Sequence, residues 1–164
     1  MKVTGIAAIG KNRQLGLNGK LPWKNDSELA HFKSTTKNGI LIMGRKTFDS
    51  IKNPLYGRKS IVISKNLSGG DKNHFYVNSL ENALVLARFI KNVDQNVFVI
   101  GGSNVFKQAL PHISELIISE VEYDGDADTL FPSFEKEYEC VEMKVCNRPS
   151  KEDRFTVRKY CKKM

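Results

Sequence analysis

The feature that most constrains this chain is an alternation of short apolar runs with helix-like stretches. Residues 3–9, 40–43, 61–63 and 97–100 are rich in Ile, Val, Leu and Met, and three of the four runs close on glycine: Gly10, Gly44 and the pair Gly101-Gly102. Each run is too short for an amphipathic helix and too evenly apolar for a half-exposed strand, so each fits a strand covered on both faces. Between them the periodicity changes. Asp26 or Ser27 is placed to cap a helix running from Glu28 through Leu29, Phe32 and Lys33 toward Thr35, and Arg45-Lys46-Thr47 opens a second helix. Ser79 precedes an apolar stripe at Leu80, Ala83, Leu84, Ala87 and Ile90, and a fourth helix fits residues 103–110. Alternation of this kind up to about residue 120 predicts an α/β fold with a mainly parallel sheet and right-handed crossovers. Further strands fit residues 75–77 and 115–121, after Pro54 and Gly57 have broken the chain ahead of residue 61. Two last strands, near residues 140–145 and 155–160, have no helix between them and predict an antiparallel edge. With no internal repeat or linker, residues 1–164 are expected to form one domain.

No apolar run approaches the roughly 18 residues needed to span a bilayer, and the N-terminal apolar patch is too short for a signal-peptide core. A soluble cytoplasmic protein is expected. Cys140, Cys146 and Cys161 form no CxxC pair, and their odd number argues against a disulfide framework. His31, His74 and His112 are far apart, so no metal site is expected. The net charge of +8 favours anionic partners, although charge alone does not choose between a nucleotide cofactor and a nucleic acid. No stripe of basic residues interleaved with aromatics supports single-strand binding.

Three places could carry chemistry. The junctions Gly44-Arg45-Lys46-Thr47 and Gly101-Gly102-Ser103-Asn104 each follow a strand and open a helix, where free backbone N–H groups can meet a phosphate. Close packing of helix on sheet explains a diglycine equally well. Glu28 lies on the first turn of its helix beside apolar Leu29 and Phe32. Such a carboxyl is either a solvated partner of the helix dipole or a proton-transfer group with a raised pKa. Residues 11–25 read as a long loop containing the sole tryptophan, Trp23, within Leu21-Pro22-Trp23. It serves either as an anchor to the core or as part of a functional loop.

The ordered set of motifs resembles bacterial dihydrofolate reductase. It comprises Ile6-Ala7-Ala8, Leu15-Gly16, Leu21-Pro22-Trp23, Glu28 with Phe32, Ile42-Met43-Gly44-Arg45-Lys46-Thr47-Phe48, Ser50-Ile51, Pro54-Leu55, Gly57-Arg58, Val99-Ile100-Gly101-Gly102 and Asp128-Thr129-Leu130-Phe131-Pro132. The resemblance covers nearly the whole chain. It implies a three-layer α/β fold: a central, mostly parallel eight-stranded sheet with an antiparallel C-terminal strand and four flanking helices. It also implies NADPH-dependent reduction of dihydrofolate to tetrahydrofolate for one-carbon metabolism, inhibition by antifolates, and a monomer. A nucleic-acid or membrane partner is not expected. A related reductase acting on a ribosylated pyrimidine is the nearest alternative; Glu28, Phe32 and Arg58 together favour folate.

By the same resemblance Glu28, Leu21 and Trp23 are the catalytic group and the closing elements of a mobile lid. Ile6, Ala8, Leu29, Phe32, Ser50, Ile51, Leu55, Ile100 and Ser119 resemble the substrate walls, with Arg58 clamping the carboxylate of the substrate's glutamate, polyglutamylated forms included. NADPH is expected along Ala8, Ile9, Leu15, Gly16, Asn18 and Leu21. It continues past Gly44, Arg45, Lys46, Thr47, Ser64 and Lys65 to Ile100, Gly101, Gly102, Ser103, Asn104, Val105, Phe106 and Thr129. The Gly101–Gly102 peptide is expected to be cis. Departures from the family pattern are His31 in place of a frequent Trp, Phe106 for Tyr, Ser119 for Thr and Ala127 for Gly.

Overall fold

The computed structural model describes residues 1–51 and 55–164; the expected break at Pro54 lies outside the described residues. In chain order the elements are β1 (Val3–Ile9), β2 (Gln14–Gly16), α1 (Asp26–Thr35), β3 (Ile40–Gly44), α2 (Arg45–Ser50), β4 (Lys59–Ile63), β5 (Gly69–Gly70), β6 (His74–Val77) and α3 (Leu80–Ile90). There follow β7 (Val97–Gly101), α4 (Ser103–Ala109), β8 (Glu115–Val121), β9 (Thr129–Leu130), β10 (Tyr138–Cys146) and β11 (Phe155–Lys162). One sheet has the order β10-β11-β8-β1-β7-β3-β4-β6-β5. The six strands from β8 to β6 in that order run parallel, and β11 lies antiparallel to β8 and β10. These eight strands, with four helices, match the expected architecture. The two-residue β5 adds a ninth, antiparallel to β6.

Apolar packing covers both faces of the sheet. On one face Val3, Ala7, Ile9, Ile42, Ile61 and Val99 meet α3 (Leu80, Ala83, Ala87) and α4 (Val105, Phe106, Ala109). On the other, Ile6, Leu41, Met43, Val62 and Phe98 meet Phe32 of α1 and Phe48 of α2. Because side chains alternate along a strand, the two clusters draw on alternate residues of β1 and β3. Among the described residues no helix is long and apolar enough to cross a membrane.

Two local readings need correction. The cap of α1 is Asn25, whose side chain accepts the Glu28 backbone N–H at 2.9 Å. Asp26 and Ser27 are equally competent cap types, but Asn25 also donates through Nδ2 to the Arg154 carbonyl at 3.1 Å, which fixes the start one residue earlier. The stretch 11–25 is also more ordered than a loop. β2 pairs antiparallel with β9, and Leu17 and Lys20 bridge across a two-residue turn. Asn18 (φ 52°) and Gly19 (φ 76°) occupy left-handed conformations that this tight turn requires. Asn25→Ala removes the cap and the tie to Arg154, and should lower stability by about 1–2 kcal/mol, read as a shifted urea midpoint at unchanged slope.

Candidate active site

Glu28 and Phe32 lie one turn apart on α1 and share a face. The strand face beneath carries Ile6 and Ala8 of β1, whose partners in register on β8 are Ile117 and Ser119. Ile6, Phe32, Ile51, Leu55 and Ile100 belong to a single apolar cluster, so five of the expected substrate-wall residues come together. Glu28 is only 7% exposed, and burial pushes its carboxyl up to about 7. Ser119 is buried on the same face, and its hydroxyl has no partner among the described residues. Leu29 remains 44% exposed. Ser50 is exposed and donates to the Thr47 carbonyl at 2.7 Å. His31 turns toward β11, with its ring 5.7 Å from that of Phe155. Desolvation, and then the nearby Lys144 charge, hold its pKa down and favour neutral imidazole.

Arg58 stands at the opposite end of α1. Its Nε donates to Thr36 Oγ1 at 3.0 Å, Nη1 to the Tyr56 carbonyl at 2.7 Å, and Nη2 to the Lys33 carbonyl. Eight residues separate Glu28 from Thr36, about 12 Å along a helix axis. The cluster between them therefore has a buried acid at one end and a guanidinium at the other.

The two strand–helix junctions adjoin, because β3 and β7 are sheet neighbours with Met43 opposite Gly101. The Gly101–Gly102 peptide is cis, as expected, and Gly101 has φ 121°, which side chains rarely adopt. A Cβ on Gly44 would lie 3.3 Å from Val105 Cγ2 and 3.9 Å from Gly102 N; one on Gly102 would lie 3.6 Å from Thr47 Oγ1. Gly44 and Gly102 thus keep a shallow slot open between the first turns of α2 and α4, with Thr47 at its rim. Arg45, Lys46, Lys65 and Asn104 are exposed around it, and Ser64 is buried at the end of β4. Arg45 Nε is held by both carboxylate oxygens of Asp49, at 2.9 and 3.0 Å, and its guanidinium lies 5.9 Å from the Tyr76 ring centre. Ser103 donates to the Leu130 carbonyl at 3.0 Å. Phe106 does not face the slot. It is 1% exposed, packs on Phe131 at 4.8 Å and fills the space beneath Gly101, as Val105 and Ile9 fill the same core.

The segment 11–20 is stitched to the chain between β8 and β9. Asn18 N–H donates to Asp128 Oδ2 at 2.8 Å, and Asp128 N–H to the Gly16 carbonyl at 3.0 Å. Gln14 Nε2 reaches Asp124 and the Gly125 carbonyl, both at 3.1 Å. Gly16 adjoins the Thr129 hydroxyl, and Leu15 packs against the α3/α4 core. Trp23 tilts against Tyr123 at 5.6 Å, while Leu21 is 55% exposed. Residues missed by sequence reading are Asn25, Thr36, Tyr76 and Asp124, which carry no periodic signal. Asp49 was readable as an i,i+4 partner of Arg45.

A doubly covered parallel sheet with a glycine slot at its carboxyl edge defines an open α/β ligand-binding protein. A family model of dihydrofolate reductase matches residues 2–162. The chain is 39% identical over 136 residues to the dihydrofolate reductase of Buchnera aphidicola subsp. Schizaphis graminum, covering 82% of this chain and 81% of that one. It is 32% identical over 153 residues to the enzyme of Haemophilus influenzae, covering 93% and 92%. A solved structure of Enterococcus faecalis dihydrofolate reductase, complexed with NADP(H) and RAB-propyl, superposes with a TM-score of 0.85 at 28% identity, covering 98% of this chain and 96% of that one. The chain belongs to the dihydrofolate reductase family.

The raised pKa of Glu28 gives a signed stability prediction. Its proton is held to about pH 7 when folded and released near 4.5 when unfolded. Stability from this group is full below pH 4.5 and is lost as pH rises through 7, by about 3 kcal/mol at most. Glu28→Gln should therefore unfold at a higher temperature than wild type at pH 8.5, with the difference closing at pH 4.5. Equal melting temperatures at both pH values would show Glu28 to be solvated.

Proposed function

We propose that the chain reduces dihydrofolate to tetrahydrofolate, with hydride arriving at the pterin and a proton at the adjacent ring nitrogen. The observation that carries this reading is Glu28, a buried carboxyl poised near neutral pH at the head of an apolar cluster. A group with that pKa exchanges a proton at the pH where the reaction must run. Glu28 is proposed to hydrogen-bond the amidine-like edge of the pterin and favour ring protonation through water, with the unpartnered Ser119 hydroxyl as a supporting donor or acceptor. Ile6, Ala8, Leu29, Phe32, Ser50, Ile51, Leu55 and Ile100 would line the ring and benzoyl portions, and Arg58 would hold the terminal carboxylate.

NADPH, when bound, supplies the hydride. The glycine slot suits an extended phosphate-bearing group, since any Cβ at Gly44 or Gly102 would narrow it. Arg45, Lys46 and Lys65 would bring cationic charge to the 2′-phosphate, while Thr47, Ser103 and Asn104 bound the pyrophosphate path. Leu21 and Trp23 are proposed to close over the site and exclude water. The net charge of +8 suits anionic substrates, polyglutamylated forms included. The reading extends to a single-domain, cytoplasmic monomer inhibited by antifolates.

The test is NADPH oxidation, followed by absorbance, with and without dihydrofolate and methotrexate. Dihydrofolate-dependent, methotrexate-sensitive oxidation is expected; NADPH binding without that activity would favour the pyrimidine reductase. Glu28→Gln should lower turnover at neutral pH by about a hundredfold or more while leaving the NADPH dissociation constant within about threefold. Arg45→Ala should weaken NADPH about tenfold and NADH much less, measured by fluorescence titration. Equal losses for both cofactors would remove the 2′-phosphate assignment.

A further inference from the structure

Arg58 sits in a built seat. Of the five N–H groups of a guanidinium, three are taken: one by Thr36 Oγ1, one by the Tyr56 carbonyl and one by the Lys33 carbonyl. The remaining two have no acceptor among the described residues. Lys33 lies in the last turn of α1, where carbonyls lack helical partners and the helix dipole is negative, so the guanidinium completes the helix end as well as being held by it. Thr36 is the less obvious member. It is the C-cap of α1, is 0% exposed, and its backbone N–H bonds to the Phe32 carbonyl at 3.0 Å. Its hydroxyl donates to that same carbonyl at 2.8 Å. The single hydroxyl proton is thereby committed, and only an oxygen lone pair can face Arg58. Thr36 is thus a fixed acceptor that cannot rotate away.

We propose that Thr36 is a positioning residue for carboxylate recognition. By anchoring Arg58 Nε, it fixes the plane of the guanidinium so that its two uncommitted N–H groups stand ready for the carboxylate at the tail of the substrate. This rests on reading Arg58 as the carboxylate clamp. An arginine on an exposed segment ordinarily spends side-chain freedom when it binds, whereas one held at three points has already lost it. Toward the substrate Thr36 contributes through Arg58, so its effect on recognition is confined to substrates that carry the tail.

The experiment compares kcat/KM for dihydrofolate with kcat/KM for a dihydropterin lacking the benzoylglutamate tail. Arg58→Ala should cut this ratio about a hundredfold, and Thr36→Val, which keeps shape but loses the hydroxyl, about tenfold, chiefly through KM for dihydrofolate. Thr36→Ser should restore the ratio to within about twofold of wild type. In the Arg58→Ala background, Thr36→Val should lower it no further. If Thr36→Val fails to fold, Thr36→Ala carries the same comparison. An unchanged ratio in the Thr36 variant, with a collapsed ratio in Arg58→Ala, overturns the role of Thr36 and leaves the clamp intact. Equal losses on both substrates would mark Thr36 as merely structural and overturn the proposal. A ratio indifferent to Arg58→Ala removes the clamp itself, and the proposal with it.

Discussion

Keeping one carboxyl out of water is the constraint from which the rest of the site follows. Glu28 is desolvated with no cation among the described residues to offset the loss, an arrangement that a helix would relieve by rotating or sliding if it could. It cannot. Asn25 fixes the first turn and is itself tied to Arg154 at the start of β11, and Phe32 is embedded in the apolar cluster one turn later. Ala8 and Ser119, both small, are register partners on the strand face that carries Ile6 and Ile117. At the other end Thr36, Lys33 and Arg58 lock the helix terminus. One short helix therefore sets a buried carboxyl and a held guanidinium at a fixed separation.

The glycine slot follows the opposite electrostatic logic. Its cations are exposed and screened by solvent, so each contributes little alone. Order there comes from geometry. Asp49 grips Arg45 from the same helix, Tyr76 lies under its guanidinium, and Phe48 and His74 pack α2 onto β6 with ring centres 5.5 Å apart. Since α2 bears Thr47 toward the slot and leads directly into Ile51, one packed helix joins the slot to the apolar cluster.

The sheet and its helices were legible because buried parallel strands and amphipathic helices leave runs and periods several residues long. Leu80, Ala83 and Ala87 were found by spacing, and all three are buried. The cis diglycine and the Glu28 cluster were reached through motif resemblance, since spacing alone left the packing and phosphate readings of Gly101-Gly102 balanced. What escaped is short or long-range. β2, β5 and β9 have two or three residues, fewer than any period can register. The choice of Asn25 over Asp26 depends on a carbonyl 129 residues away. The seat of Arg58 depends on a threonine 22 residues earlier, indistinguishable in sequence from any helix-ending Thr.

The segment 11–20 illustrates why such features matter despite their size. It is joined to the β8–β9 connection mainly by polar bonds: Asn18 and Gly16 to Asp128, Gln14 to Asp124 and Gly125. Each bond is exchanged for water on opening, at a net cost near 1 kcal/mol. The apolar side chains farther along are not committed to the core: Leu21 is largely exposed, and Trp23 rests only half-buried against Tyr123. A segment pinned largely by replaceable bonds, anchored by Leu15 and followed by apolar groups that the core does not claim, can exchange water for other contacts. The core beneath it, with Val99, Ile42 and Leu116 fully buried, has no comparable freedom. Fixed contacts at both ends of α1 and replaceable polar contacts in the segment 11–20 therefore divide the molecule into a rigid part and one held mainly by bonds that water can replace.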